Sequence, residues 1–247
     1  MADALSKGVI MQSVNTLEKN SHIEIEEDIE RELEFTSFYR WHHWIRVLSI
    51  IILTITGFYI SVPFIVPAVN AEPTNFLYAD LRGIHEIFGF VMISMFIGKT
   101  YYFFFSVKNK GELNSFKDLF SIKNWLNQVG YYLLITKHPK LSGAYNVVQL
   151  IAYLIFYIAI TGLILTGLIL YVHSFHGGIG AMLYDSMRAL EAMLGGLAVV
   201  RELHHILMWG VIIFVVGHVY MVVFNAVYGK EGTVDSIFSG YRWKRKH

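Results

Sequence analysis

The chain has 247 residues, of which 55% are hydrophobic, 15% aromatic and only 16% charged, whereas a soluble domain carries about 25% charged residues. A net charge of +1 offers no basic field for nucleic acid. The absence of cysteine excludes disulfides, thiolate metal sites, cysteine-held iron–sulfur clusters and covalent CxxCH haem attachment.

The apolar residues fall in blocks, which predicts an all-α integral membrane protein. Residues 1–38 form a polar, acidic extension in which no leader is expected. Within it "HIEIEEDIERELEF" (22–35) sets Ile25, Ile29 and Leu33 at helical spacing among acids, predicting a short, solvated amphipathic helix. A core domain over residues 39–241 then contains four runs long enough to cross a bilayer, which takes ~20 residues. The first is 44–66, ended by Pro63 and Pro67. "AVNAEP" (68–73) resembles a signal-peptidase site, but the run before it exceeds the usual ~7–15-residue apolar region, so it is read as an uncleaved loop. The second run is 84–107. The 108–142 loop mixes apolar and basic residues, as a segment lying on a membrane surface does. The third run, 147–172, has no charge at all. The 173–202 loop is apolar with a helical pattern, and is expected to cover or dock something on the outer face. The fourth run is 203–228, and 242–247 is a basic tail. No strand-period alternation persists.

Lysine and arginine set the orientation. The segment to His43 carries four, the 108–142 loop six and the tail from Tyr228 five, against one in 67–83 and two in 173–202. Both termini and the middle loop are therefore expected in the cytoplasm.

Intramembrane histidines are expensive and point to function. His42 and His43 sit at the cytoplasmic mouth of the first run, His85 at the outer mouth of the second. His204 and His205 lie near the outer end of the fourth, His218 toward its inner half. At 100° per residue, His204 and His218 fall about 40° apart on one helix face and about 21 Å apart along the axis, whereas His205 is nearly opposite His218. His204 thus pairs in depth with His85, and His218 with the histidines of the first run. Two depths, each with two imidazoles from different helices, match the needs of two b-type haems in a four-helix bundle. Gly57, Gly89, Gly162, Gly167 and Gly217 allow close approach of a backbone or a flat macrocycle. Lys99, 14 residues after His85 on the same face, is placed to meet a haem propionate or a quinone. Glu86 either supports His85 or faces outer water, and His173 and His176 could cap the third helix. A histidine-lined proton or metal transporter is the reading from another class. It predicts carboxylates beside the histidines at midplane, where the runs have none.

"RWHHW" (40–44), "RGIH" (82–85), "GAYNVVQLIAY" (143–153) and "RELHHILMWGVIIFVVGHVY" (201–220) closely resemble the b-type cytochrome subunit of membrane-bound nickel–iron uptake hydrogenases, across residues 38–241. The looser histidine layout is also similar to the cytochrome subunits of formate dehydrogenase and of thiosulfate or polysulfide reductase. The acidic extension has no counterpart in the family core.

The resemblance implies His43, His85, His204 and His218 as haem-iron ligands, paired His85/His204 for the outer haem b and His43/His218 for the inner. It implies roles at a haem propionate, or in support of the ligands, for Lys99, His205 and Arg201. Lys99, Tyr101, Asn146, Gln149, Tyr220 and Asn225 are the candidates for contact with a quinone, expected to be menaquinone. It further implies a periplasmic iron–sulfur small subunit and nickel–iron large subunit as partners, in a bacterial inner membrane and as a dimer of heterotrimers. Electrons from hydrogen would reach the quinone through the two haems, making this the electron-transfer and quinone-reducing subunit of a hydrogen:quinone oxidoreductase, with no hydrogen-activating site of its own.

Overall fold

The computed structural model describes residues 29–65, 76–105, 110–133, 135–136, 142–143, 145–229 and 233–245. The elements run β1 (Ile29–Leu33), α1 (Ser37–Ser61), α2 (Leu77–Phe105), α3 (Lys110–Leu119), α4 (Ile122–Tyr132), α5 (Val147–Val172), α6 (Ile179–Leu194), α7 (Leu197–Phe224), a π-helical turn (Asn225–Gly229), α8 (Thr233–Ser239) and β2 (Tyr241–Arg245). Four helical runs, Ser37–Ser61, Leu77–Phe105, Val147–Val172 and Leu197–Val227, are long and apolar enough to cross a membrane. The chain is thus a mostly helical, multi-pass membrane protein. Ile55, Ile158 and Ile213 are each more than 60% exposed on these helices, as lipid-facing side chains are.

Only α5 spans the 147–172 that hydropathy marks. Helices α1, α2 and α7 begin at Ser37, Leu77 and Leu197, ahead of the expected 44, 84 and 203. Polar turns such as Tyr39–Arg40 and Asp80–Arg82 continue a helix into water without cost, so the apolar boundary marks lipid rather than the helix end. Pro63 lacks an N–H and disfavours helix before it, so α1 stops at Ser61, short of the expected 66. The "AVNAEP" loop and residues 22–28 lie outside the described residues.

The described residues form two compact units, one up to His43 and from His218 on, the other Trp44–Gly217. The first contains an antiparallel ribbon in which Glu30 lies opposite Lys244, and Glu32 opposite Arg242. This corrects two expectations: residues 29–33 are a strand rather than part of an amphipathic helix, and the fold is not wholly helical. The partner strand lies more than 200 residues away in sequence, and the opposite charges of Glu32 and Arg242 favour the pairing. Glu34 forms an ion pair with Arg242 at 2.6 Å. The Glu34 and Phe35 amides both donate to the Gly240 carbonyl, at 2.9 and 3.0 Å. Gly240 has φ +91, and a side chain there would strike the Phe35 carbonyl at 2.7 Å, so this corner requires glycine. The Arg40 guanidinium donates to the Phe238 carbonyl, tying the start of α1 to α8.

In the second unit, α2, α3, α4 and α6 pack on α5. Its buried centre is Ala159, Ile160 and Val211, with Ile50, Phe96, Phe156 and Leu207 packed around them. Gly162 lets α7 approach, since a Cβ there would lie 2.7 Å from Leu207 Cδ1. Asn146 caps α5 in a capping box with Gln149 and also donates to the Tyr132 hydroxyl at 2.9 Å. Helix α4 turns Ile122, Leu126, Val129 and Leu133 outward and buries Gln128. That is the inverse of a soluble amphipathic helix and suits one lying at a membrane surface. Asp118 anchors the α3–α4 segment, accepting from Asn124 Nδ2 at 2.9 Å, the Ser142 amide at 2.8 Å and the Ser142 hydroxyl at 2.5 Å. The 173–202 loop folds as α6, which Gly195 ends in the left-handed conformation (φ +98).

Candidate functional site

His85 projects from α2 toward α1, and His204 from α7 toward α5. The two imidazole rings meet with centroids 6.4 Å apart and planes at 63°. Each ring lies against a Thr–Gly pair of the neighbouring helix. Thr56 Oγ1 is 2.8 Å from His85 Nδ1, and a Cβ on Gly57 would lie 3.3 Å from His85 Cε1. Thr166 Oγ1 is 2.8 Å from His204 Nδ1, and a Cβ on Gly167 would lie 3.5 Å from His204 Cε1. Gly57 gives the His85 ring room that a Cβ would crowd, whereas a Cβ at position 167 would make only ordinary contact with His204, and the threonines hold one nitrogen of each ring.

What could such a pair hold? Two imidazoles bonded to one metal ion at about 2.0 Å each keep their ring centres about 6 Å apart, close to the 6.4 Å observed. Among the described residues no group of three or more His, Cys, Asp or Glu side chains gathers as a metal site. Two neutral donors without a carboxylate suit an iron whose other four ligands come from a planar macrocycle, with helices supplying axial imidazoles. The residues present therefore fit a b-type haem.

The structure separates His204 from its neighbour. Trp209 Nε1 donates to His205 Nε2 at 3.3 Å, and Phe58 packs edge-on to both rings. His205 thus has its Nε2 engaged. Glu86 is paired with Arg82 at 3.1 Å, and Arg82 also donates to the Ser174 hydroxyl, so Glu86 is committed to an ion pair. Arg201 is exposed. His173 follows α5 at its C-cap, but its ring bonds Glu191 at 2.6 Å rather than the helix end. His176 packs edge-on to Tyr184.

The inner candidates lie in the other unit. His42 is buried beside Phe38, with ring centres 5.9 Å apart; His43 and His218 are partly exposed. Of the quinone candidates, Lys99 places its amine 6.0 Å from the Tyr102 ring centre. Tyr101 is exposed and stacks on Phe105. Asn146 and Gln149 commit their side-chain oxygens to the α5 cap. Tyr220 is exposed beside Phe224, and Asn225 opens the π-helical turn.

Sequence reasoning missed Thr56 and Thr166. The one available signal was that each precedes a helix glycine already singled out for close approach, giving the same Thr–Gly dipeptide in α1 and α5.

A protein 27% identical over 229 residues, covering 86% of this chain and 92% of the relative, is the probable Ni/Fe-hydrogenase B-type cytochrome subunit of Rhizobium leguminosarum bv. viciae. The protein of that name in Azotobacter vinelandii is 28% identical, covering 82% of this chain and 85% of its own. The probable Ni/Fe-hydrogenase 1 B-type cytochrome subunit of Escherichia coli K12 is 27% identical, covering 81% and 86%. The family model described as prokaryotic cytochrome b561 matches residues 34–240, and the chain belongs to that family.

Proposed function

We propose that this chain is the two-haem membrane cytochrome b of a nickel–iron hydrogenase, carrying electrons from the partner's iron–sulfur subunit to quinone. The observation that carries this reading is the His85–His204 pair, whose ring centres stand 6.4 Å apart, a separation at which both imidazoles could hold one iron. The names of the relatives support the choice of partner. Haem b, when bound, supplies a one-electron centre within a low-dielectric interior.

The chain's own residues do the rest. His85 and His204 hold the outer group, and His43 and His218 the inner one. Gly57 and Gly167 keep side chains out of the space beside the outer imidazoles. Phe58, Met208 and Trp209 line the neighbouring helix faces, which favours exclusion of water. The lysine and arginine bias assigns both termini to the cytoplasm of a bacterial inner membrane. The hydrogenase then docks on the periplasmic side, the side of α6. Quinone, in this reading menaquinone, takes electrons at the cytoplasmic side, where Lys99 and Tyr101 lie near the inner end of α2. Hydrogen itself is activated in the partner, because this chain has no cysteine to hold nickel.

The test uses membranes containing this chain together with its hydrogenase. Under hydrogen they are expected to show a reduced b-type absorption spectrum and quinol formation, both lost in His204→Ala. Hydrogen uptake to a soluble dye, with no b-type signal in the same membranes, would overturn the reading.

A further inference from the structure

The two threonines beside the imidazoles are engaged twice. Thr56 Oγ1 lies 2.7 Å from the Ile52 carbonyl of its own helix, and Thr166 Oγ1 lies 2.7 Å from the Gly162 carbonyl. A hydroxyl has one proton, and two acceptor oxygens 2.7 Å apart repel unless it lies between them. The threonine proton is therefore spent on the backbone, as is usual for hydroxyl residues in apolar helices. What remains toward the histidine is a lone pair, so at 2.8 Å the Nδ1–H of His85 and of His204 must be the donor. Each ring is fixed with its proton on Nδ1 and its lone pair on Nε2. The two contacts are made by different helices at equal distances, and each threonine is followed by a glycine facing the ring's Cε1 edge, at 3.3 Å for a Cβ on Gly57 and 3.5 Å for one on Gly167.

We propose that Thr56 and Thr166 are positioning residues that lock both outer imidazoles in the iron-ligating tautomer and strengthen them as electron donors. An Nδ1–H held by an acceptor makes the ring more basic, and such outer partners change metal affinity about 10–100-fold when lost. A more basic axial ligand favours the oxidised metal, so the threonines hold the outer centre at a lower reduction potential than the same pair without them. This inference rests on the haem-binding reading above, and the experiment distinguishes the two.

The experiment compares wild type with Thr56→Val, Thr166→Val, the double variant and the matching Thr→Ser variants, each purified as the whole chain with its haem. Valine keeps the volume and removes the acceptor; serine keeps the acceptor. Haem per chain, an optical redox titration and the low-spin electron paramagnetic resonance spectrum are recorded for each. In the valine variants the reduced-to-oxidised ratio of the outer centre at fixed ambient potential should rise about tenfold, equal to a shift of about 59 mV for one electron. The inner centre should stay put, and serine should restore both the potential and the spectrum. Should the valine variants shed the outer haem, retention in the serine variants supports the same assignment. Valine variants that titrate like wild type, or serine variants that behave like valine, would overturn it. A wild-type chain without haem would instead overturn the haem-binding reading.

Discussion

His85 and His204, 119 positions apart in the sequence, face each other across the helices with ring centres 6.4 Å apart. Their neighbour His205 accepts from Trp209 through Nε2, the nitrogen a metal would need. Replacing His85 or His204 by alanine should therefore remove one haem per chain, while His205→Ala should keep both and only loosen Trp209. The pyridine haemochrome spectrum of each purified variant reads this directly. Equal losses at His204 and His205 would show that the indole contact does not discriminate between them.

Glycine at position 57 is predicted to be irreplaceable for the outer site. A Cβ there would stand 3.3 Å from His85 Cε1, whereas a Cβ at Gly89 meets nothing within 4 Å. Gly57→Ala should displace the imidazole and alter the low-spin resonance spectrum, and Gly57→Val should lower haem content. Gly162→Ala presses on Leu207 instead, and should cost about 1–3 kcal/mol in stability by overpacking with little change in the haem spectrum.

Helix α6 is held by a buried carboxylate. Glu191 pairs with His173 at 2.6 Å and with Arg188 at 2.5 Å, and the hydrogen bond from His173, aided by Arg188, holds the Glu191 carboxyl below the usual range. A lowered folded-state value stabilises above the unfolded carboxyl's pKa of about 4.3, and that contribution is lost as pH falls through the folded value. Hydrogen-exchange protection in α6, corrected for the intrinsic rate, should thus hold at neutral pH and fall in acid. Glu191→Gln should show lower protection with no such step. A step that survives in Glu191→Gln would assign the acid transition to another group.

Asp118 is the polar hub of the α3–α4 segment, with three donors on one carboxylate. Asp118→Ala removes the shared acceptor of three partly exposed donors, at a cost of about 0.5–1.5 kcal/mol for each hydrogen bond lost. It should lower the melting temperature in detergent and expose the segment to protease, while the outer haem signal stays unchanged. Asp118→Asn, which keeps one acceptor oxygen, should fall between the two.

The four crossings were readable because apolar blocks of this length have no other use, and α5, uncharged throughout, was readable to the residue. The starts of α1, α2 and α7 were not, because helices run on past the lipid boundary. The pairing of His85 with His204 followed from depth and helical phase. The threonines behind them did not, since hydroxyls in membrane helices usually bond only their own backbone. The β1–β2 ribbon was hidden for another reason. "IEREL" (29–33) fits both a strand and a helix turn, and its choice is made by residues 241–245 at the far end of the chain. The fate of Glu86 was equally illegible, because its partner Arg82 could as easily have faced a propionate.

The most direct measurement is the ratio of b-type haem to purified chain. Wild type is expected at two, with His204→Ala and His218→Ala each at one and the double variant at none. A wild-type ratio of one or zero, or a His204→Ala variant that keeps the full ratio, would contradict a pair of haems clamped by these four histidines.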